Sequence, residues 1–245
     1  MIYKSFLIIF VIFTLVNCAN KSVTPVDSRL KLLDSIELKI KEPSGISLNY
    51  EKTKLWIVGD NDTLVYLTDL KGKIIDSFPV EYKDLEGITI IKDSLIGIID
   101  EVTREIILYT IDGKFVKLIQ TGLTGDPKHG LEGITFIPDE NILIAANQKN
   151  PELFLKVDLN GNIISVEPVN FGDDIADLYY DNQNKVLWIL SKESNTIFKC
   201  NLNLDIITKY LIPNKDFEGI VVNNNMMYLV SDMENKLYKY EIIRE

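Results

Sequence analysis

A short phrase that recurs at a regular spacing constrains the fold of this chain more than any other feature. The phrase is an apolar residue followed by Glu-Gly-Ile, and its clear copies are Leu85-Glu86-Gly87-Ile88, Leu131-Glu132-Gly133-Ile134 and Phe217-Glu218-Gly219-Ile220. Weaker copies fill the gaps at Pro43-Ser44-Gly45-Ile46 and Ile175-Ala176-Asp177-Leu178. The third position therefore falls at 45, 87, 133, 177 and 219, in steps of 42, 46, 44 and 42. A repeat of this length is typical of propeller blades or solenoid units.

Each copy of the phrase opens a run rich in β-branched residues, such as Ile88-Thr89-Ile90-Ile91, which favours strands over helices. Each repeat divides into four strands, A to D, and strand B is the most apolar, as in Leu187-Trp188-Ile189-Leu190. Strands that are apolar on both faces must be covered on both faces, as they are between packed blades. Asp112-Gly113 and Asn160-Gly161 predict tight turns between strands C and D. The sequence thus predicts an all-β, five-bladed β-propeller of four-stranded blades.

The last repeat is incomplete, because the chain reaches Glu245 without a fourth strand. A matching segment lies near the other end, at Asp34–Ile40, and it resembles D segments such as Ile74–Val80. We therefore expect an N-terminal strand to complete the last blade, which closes the ring and removes an exposed edge. The propeller is predicted to span residues 34–245, and we expect it to be a monomer.

The first 18 residues have the pattern of an export signal. Lys4 precedes the apolar run Ser5–Leu15, which is shorter than the roughly 20 residues of a transmembrane helix. The segment ends at Leu15-Val16-Asn17-Cys18, which resembles a bacterial lipobox, in which the Cys is lipidated and becomes the new N-terminus. Asn17 departs from the small residue usual before that Cys. The alternative is an ordinary secretory signal with an incidental Cys18.

We favour the lipoprotein interpretation, in which the protein is anchored to a membrane of the bacterial cell envelope through Cys18 and faces the periplasm or the cell surface. Residues 19–33 are polar and contain Pro25, so they are predicted to form a tether. Within this tether, Arg29–Leu33 has a pattern suited to one helical turn.

Composition and charge exclude several function classes. The net charge of −10 argues against a nucleic-acid partner, because phosphate binding requires clustered Lys and Arg. The hydrophobic fraction of 46% over 245 residues is enough for one sizeable core. The single histidine, His129, excludes metal sites with several His ligands. Cys200 is the only cysteine besides Cys18, so lipidation of Cys18 leaves no intramolecular disulfide.

The Glu of the repeated phrase is the main candidate for a functional residue. In a propeller, only residues at the ends of the inner strands reach the central channel, so Glu86, Glu132 and Glu218 are expected to converge on one mouth. Strand B runs antiparallel to strand A, so its last residues reach the same mouth. This second ring is predicted to consist of Asp60, Asp100, Asn147, Lys192 and Asp232.

The predicted convergence of carboxylates favours a bound cation. Carboxylates about 6 Å apart repel by about 3 kcal/mol at an effective dielectric constant of about 20, so they require a cation or raised pKa values. An all-oxygen site suits Ca²⁺ better than zinc or copper. The predicted metal ligands are Glu86, Glu132, Asp177 and Glu218, with the second ring as a further source of ligands.

The fourth repeat departs from the others, because it has Ala176 in place of Glu and Lys192 in the second ring. A metal ion is therefore expected to lie off the channel axis, and Asp177 either restores a ligand or pairs with Lys192. The alternative interpretation of the phrase is structural. In that case Glu-Gly only starts a strand, and the Gly admits a close approach of two backbones.

The lipobox, the five copies of the phrase and the Asp-Gly turns together resemble the SdiA-regulated family of bacterial proteins, over nearly all of residues 34–245. The resemblance implies a five-bladed propeller, distantly similar to NHL-repeat propellers, with an associated calcium ion. The family has no established activity, so the resemblance implies no reaction. Two function classes stay open. The one we favour is a lipid-anchored, calcium-binding module for an unknown protein or small-molecule partner.

The other class is a calcium-dependent hydrolase. Lactonase, phosphotriesterase and phytase-like propellers are similar to this chain in architecture, and there a channel Ca²⁺ polarises an ester or phosphoryl oxygen. Such an enzyme needs a base beside the metal, and the candidates in this sequence are His129 and Asp177.

Overall fold

The computed structural model of the chain describes residues 26–27, 29–126 and 128–243. These residues form 21 β-strands, and none of them belongs to a helix long and apolar enough to cross a membrane. The predicted export signal and Cys18 lie outside the described residues. The strands are arranged in five antiparallel sheets, which are the five blades.

The blades are numbered by the copy of the repeated phrase that opens them. Blade 1 consists of β3 (Pro43–Leu48), β4 (Lys54–Gly59), β5 (Leu64–Asp69) and β6 (Ile74–Pro79). Blade 2 consists of β7 (Leu85–Ile91), β8 (Leu95–Asp100), β9 (Glu105–Thr110) and β10 (Phe115–Gln120). Blade 3 consists of β11 (Leu131–Ile137), β12 (Ile142–Asn147), β13 (Leu153–Asp158) and β14 (Ile163–Pro168). Blade 4 consists of β15 (Ile175–Asp181), β16 (Val186–Ser191), β17 (Thr196–Cys200) and β18 (Ile206–Leu211). Blade 5 consists of β19 (Phe217–Asn223), β20 (Met226–Ser231), β21 (Lys236–Ile243) and β2 (Arg29–Glu37).

The first strands of the blades form the wall of a central channel. The strands β3, β7, β11 and β15 each contact the inner strand of the next blade, and β19 contacts β3, so the ring is closed. The predicted five-bladed propeller is therefore confirmed. Gly113 and Gly161 have φ values of 81° and 95° in the turns between the third and fourth strands, as the Asp-Gly and Asn-Gly pairs predict.

The N-terminal strand completes blade 5, as predicted. The strand β2 pairs antiparallel with β21, from Arg29 opposite Ile243 to Glu37 opposite Lys236. It begins at Arg29, so residues that the sequence assigned to the tether belong to the blade, and the helical turn expected at Arg29–Leu33 is wrong. A helix of one turn is unstable in water, whereas the strand gains a full ladder of hydrogen bonds. A short strand, β1 (Val26–Asp27), lies parallel to β18 at the outer edge of blade 4.

The apolar core lies between neighbouring blades. Between blades 1 and 2, Trp56 and Val58 of β4 pack with Ile88 of β7 and Ile98 of β8. The second strands β12 and β16 are buried along their whole length, as predicted for strands covered on both faces. Trp188 lies in the equivalent cluster between blades 4 and 5, so both tryptophans of the chain are core residues.

The Gly of the repeated phrase lies where the inner strands of two blades approach most closely. A Cβ atom on Gly45 would lie 2.1 Å from the carbonyl oxygen of Glu86, and one on Gly87 would lie 2.2 Å from that of Glu132. Only glycine fits at such a distance from a neighbouring backbone. The Gly of the phrase is therefore a packing residue, which leaves the adjacent Glu to be explained separately.

Candidate cation site at the channel mouth

One mouth of the channel is formed by the first residues of the inner strands. Glu86, Glu132 and Glu218 are the second residues of β7, β11 and β19, and each is more than nine-tenths buried. Burial raises the pKa of all three carboxyl groups, and the charge of Glu218 raises the pKa of Glu86 and of Glu132 further. The three side chains therefore converge on one mouth, as the sequence predicts.

The second ring also lies at this mouth, but its members differ from the predicted ones in blades 2 and 3. The ladders pair Gly59 with Pro43, Asp100 with Leu85, and Asn147 with Leu131. Asp100 and Asn147 are therefore equivalent to Gly59, one residue before the ring. In every blade, the residue after this last paired position of the second strand belongs to the ring. The ring consists of Asp60, Glu101, Gln148, Lys192 and Asp232.

Asp100 and Asn147 support loops instead of lining the mouth. The Asp100 carboxylate accepts hydrogen bonds from the backbone N–H and the hydroxyl of Thr103, both at 2.9 Å. The Asn147 amide donates to the carbonyl oxygens of Lys149 and Pro151, at 3.0 and 2.9 Å. Glu101 and Gln148, which the sequence analysis missed, take their places at the mouth.

A third set of acidic residues at the mouth was also missed. These residues lie two positions before the Glu of the phrase, and they have positive φ angles of 44° to 64°. The set consists of Glu42, Asp84, Asp174 and Asp216. Asp tolerates this left-handed conformation better than most residues. The signal in the sequence was the recurrence of Asp-x-Glu-Gly-Ile at Asp84 and Asp216, where the Asp is the residue immediately before the phrase.

Two groups of three carboxylates result. Asp60, Asp84 and Glu86 each place one oxygen within 4.8 Å of the others. Burial, a hydrogen bond with Asp84 and the charges of Asp84 and Glu42 raise the pKa of Asp60 to about 6. Burial also raises the pKa of Glu86 well above 4.5, although the hydroxyl of Ser44, which donates to its carboxylate, opposes the shift.

The second group contains a positive charge. Asp216, Glu218 and Asp232 also place oxygens within 4.8 Å of one another. The ammonium of Lys192 donates to Glu218 and lies 3.2 Å from Asp216 Oδ1. Burial raises the pKa of Glu218 to about 7, and Lys192 opposes that shift. Lys192 thus pairs with Glu218 and Asp216 of blade 5, whereas a pair with Asp177 was the alternative expected from the sequence.

Glu132 lies between these groups without a partner. It is 7% exposed, and within the described part of the chain no hydrogen bond or ion pair reaches its carboxylate. Burial raises its pKa well above 4.5, and the charge of Glu86 adds to the shift. A buried carboxylate that faces other carboxylates without a compensating donor is costly. The site is therefore suited to a cation.

Asp177 is held between two inner strands by hydrogen bonds to the backbone. It is 1% exposed, and its two oxygens accept the backbone N–H groups of Leu178 at 2.7 Å and Ile220 at 2.8 Å. Burial raises its pKa well above 3.8, although these backbone hydrogen bonds oppose the shift. The carboxylate joins the inner strands of blades 4 and 5, and both its oxygens are engaged by backbone N–H groups.

His129 lies in the loop beside the mouth. Its Nδ1 is 3.0 Å from Oε1 of the ring residue Gln148. Arg104 is buried and donates to the carbonyl oxygens of Asp126 and His129, the latter at 3.1 Å. The loop is therefore tied to blade 2, and the imidazole is oriented by a residue of blade 3.

The opposite end of the channel has a different chemistry. It opens into a cavity of about 450 Å³ whose walls are the far ends of the inner strands of blades 1 to 4, including Leu48, Ile90 and Phe136. The charged residues that line it are Lys52, Lys92 and Asp93. Carboxylate-rich chemistry is therefore a property of the first mouth.

Comparisons with known proteins agree with this architecture. The sequence model of the family described as SdiA-regulated matches residues 22–241. No curated protein matches the chain. Among solved structures, a nidogen/laminin complex is similar at 13% identity and a TM-score of 0.58, over 78% of this chain and 72% of that one.

Two lyase structures are also similar. A streptogramin B lyase matches at 19% identity and a TM-score of 0.53, over 88% of this chain and 74% of that one. A catalytically inactive virginiamycin B lyase from Staphylococcus aureus with quinupristin matches at 20% identity, with the same TM-score and coverage. Similarity at these identities shows the propeller fold alone.

Proposed function

The chain belongs to the SdiA-regulated family, and from this premise we propose that it is a calcium-binding propeller of the bacterial cell envelope that acts as a binding module. The observation that carries the proposal is the group formed by Asp60, Asp84 and Glu86, with three carboxylate oxygens within 4.8 Å of one another. None of these three residues takes part in an ion pair with a described Lys, Arg or His.

The donor set supports Ca²⁺ over other metals. All candidate ligands are oxygen atoms, and Ca²⁺ takes six to eight oxygen ligands in irregular geometry, whereas Mg²⁺ requires a tight octahedron. The buried carboxylate of Glu132 adds a further anion beside Glu86. Asp177 is left out of the proposed ligand set, because both its oxygens accept backbone hydrogen bonds. The bound ion would order the loops around the mouth, where a protein or small-molecule partner would bind.

Calorimetric titration of the metal-free protein with Ca²⁺ tests this proposal. At a hundredfold excess over Kd, a bound ion stabilises the fold by about 2.7 kcal/mol, so EDTA should lower the melting temperature and Ca²⁺ should restore it better than Mg²⁺. Glu86→Gln keeps the shape of the side chain and removes its charge. We expect it to weaken Ca²⁺ binding at least tenfold, which is about 1.4 kcal/mol.

The matched control is Asp76→Asn, which removes a carboxylate from the exposed outer strand β6. Its Ca²⁺ affinity should equal that of the wild type. Equal affinities for the wild type and Glu86→Gln would mean that the carboxylates at the mouth are not ligands.

The membrane anchor is a separate part of the proposal and rests on the lipobox-like Leu15-Val16-Asn17-Cys18. Cells grown with a labelled fatty acid should label the full chain, and Cys18→Ala should abolish the label and release the protein from membranes. Label that persists in Cys18→Ala would contradict the anchor.

A second candidate function is a metal-dependent hydrolase. The observation that favours it is the contact between His129 and Gln148, which orients an imidazole against a ring residue of the channel mouth. A base within reach of a metal-polarised ester or phosphoryl group is the required arrangement. Lactone, aryl-ester and phosphate substrates, assayed with and without EDTA, distinguish the two functions. A hydrolase should lose its activity in EDTA and in His129→Asn, whereas a binding module shows no activity to lose.

A further inference from the structure

Two junctions between blades present the same pair of carboxylates at the mouth. At the junction of blades 1 and 2 the pair is Asp84 with Glu86, and at the junction of blades 4 and 5 it is Asp216 with Glu218. The ring residue of the preceding blade faces each pair. That residue is Asp60 at the first junction, where its carbonyl oxygen accepts the Asp84 N–H at 3.1 Å.

At the second junction the equivalent residue is Lys192. Its ammonium lies 3.2 Å from Asp216 Oδ1 and donates to Glu218, and its charge also acts on Asp232. The three carboxylates around it have the same mutual spacing as the group at the first junction, within 4.8 Å. The two junctions thus share a pair of carboxylates and differ in the charge of the residue of the preceding blade, Asp60 or Lys192. The third carboxylate of the group is Asp60 itself at the first junction and Asp232, of the same blade as the pair, at the second.

Two further observations indicate that these groups are cation positions. Glu132 is more than nine-tenths buried and has no hydrogen-bond or ion-pair partner among the described residues, and the largest charge effect on it comes from Glu86 at the first junction. At the second junction, Asp232 Oδ1 is buried without a hydrogen-bond partner.

Two lysines form ion pairs with carboxylates on the blade 4 side of the mouth. Besides Lys192, Lys149 lies 2.9 Å from Asp174 Oδ2 at the junction of blades 3 and 4. The carboxylates of Asp60, Asp84 and Glu86, on the side of blades 1 and 2, form no ion pair with a described residue. Of the two groups of three carboxylates, the one at the junction of blades 1 and 2 is therefore the group without a protein cation among the described residues.

We propose that the ammonium of Lys192 occupies the place of a second cation, so that the mouth takes a single divalent cation, at the junction of blades 1 and 2. This inference rests on the proposed function, because it assigns the position and the number of the ions that the mouth binds. The lysine is a tethered cation, so the blade 4–5 junction has a counter-charge at any concentration of free metal.

The number of Ca²⁺ ions bound per chain, measured by isothermal titration calorimetry, tests the inference. We expect one ion for the wild type and two for Lys192→Met, which removes the ammonium and leaves Asp216, Glu218 and Asp232 in place. One ion in both proteins would overturn the inference while leaving the proposed function intact, and two ions in the wild type would overturn it as well. A wild type that binds no Ca²⁺ contradicts the proposed function, and this inference with it.

The reciprocal variant keeps the inference testable if Lys192→Met does not give the circular dichroism spectrum of the wild type. Asp60→Lys copies the lysine junction at blades 1 and 2, and it should bind no Ca²⁺; a retained ion would overturn the inference. The double variant Asp60→Lys/Lys192→Met should bind one ion at the other junction. Its affinity should fall at least tenfold on Glu218→Gln, which removes a carboxylate of that junction.

Discussion

Burial controls the charge of the carboxylates at the channel mouth. Burial is the largest cause that raises the pKa of Asp60 to about 6 and that of Glu218 to about 7, and it raises the pKa of Glu86 and Glu132 well above 4.5. The metal-free mouth therefore holds protons near neutral pH that a divalent cation must displace. Because metal ligands bind in the deprotonated form, Ca²⁺ affinity should increase with pH.

The raised pKa values also make the stability of the metal-free protein depend on pH. Between the ordinary value of 4.5 and the folded-state value of about 7, Glu218 is protonated in the folded chain and ionised in the unfolded chain. The folded state binds more protons in this window, so its stability is lost as the pH rises through it and is regained as the pH falls. In EDTA, the melting temperature should therefore increase as the pH is lowered from 8 to 5.5.

Glu218→Gln is the control for this prediction, because it removes one titrating group and should reduce the slope. Saturating Ca²⁺ should stabilise the protein most at the alkaline end of the range. A melting temperature in EDTA that falls on acidification to pH 5.5 would contradict the assignment of the raised pKa values.

At the scale of the secondary-structure element, the inner strands have a distinctive problem. Each is the innermost strand of its sheet, and one of its edges has no neighbouring strand. The N–H groups on that free edge need other acceptors. Side chains of the adjacent blade supply them: the hydroxyls of Ser47 and Thr135 accept from Ile90 at 3.2 Å and from Tyr180 at 2.9 Å. Asp177 does the same for Ile220 of blade 5. Adjacent blades are thus joined by polar contacts around the axis as well as by the apolar clusters.

Asp177 should therefore act as a structural residue. Asp177→Ala leaves the N–H groups of Leu178 and Ile220 without their side-chain acceptor, and each buried unsatisfied group costs about 1–3 kcal/mol. We expect the free energy of unfolding to fall by about 2 kcal/mol or more in urea titrations, with Ca²⁺ affinity changed less than twofold. A variant of wild-type stability with weakened Ca²⁺ binding would restore Asp177 as a ligand.

The repeat predicted the elements of the structure more completely than the membership of the site. The spacing of the phrase and the turn residues were sufficient for the blades and for the closing strand. The second ring was predicted one residue too early in two blades, because Asp100-Glu101 and Asn147-Gln148 each offer two polar residues where a strand ends. A shift of one residue turns a strand side chain to the opposite face, and polarity alone does not distinguish the two registers.

The carboxylates of Asp84 and Asp216 were missed for a related reason. They precede the inner strands, in positions with φ of 64° and 51°. The alternation of side chains along a strand does not predict where the side chain of the preceding residue points. Their side chains reach the mouth because the left-handed backbone turns the chain there.

At the scale of the whole molecule, the propeller depends on one contact between the two ends of the chain. Blade 5 has its outer strand only because β2 pairs with β21. A chain that begins at residue 38 lacks this strand, and we expect it to be insoluble or to melt about 10 °C or more below the wild type, since a loss of about 1 kcal/mol lowers the melting temperature by 2–4 °C in a domain of this size.

A chain that begins at residue 29 is the control for this deletion. Of the described strands it loses β1 alone, which pairs through Val26 and Asp27 with blade 4, so its melting temperature should stay close to that of the wild type. Equal melting temperatures for the chains that begin at 29 and 38 would show that the ring does not need β2.

The pairing of Arg29 with Ile243 also determines when the protein can fold. During synthesis, β2 leaves the ribosome before any blade exists, whereas its partner β21 is made after all the other described strands of the propeller. The ring cannot close until β21 has left the ribosome, so closure is the last step in the assembly of the blades. While it waits, β2 is an unpaired strand, but it carries Lys31, Asp34 and Glu37 and stays exposed along most of its length even when folded. Charged residues of this kind protect an open edge from pairing with other chains. The charges of β2 should therefore limit aggregation before β21 becomes available.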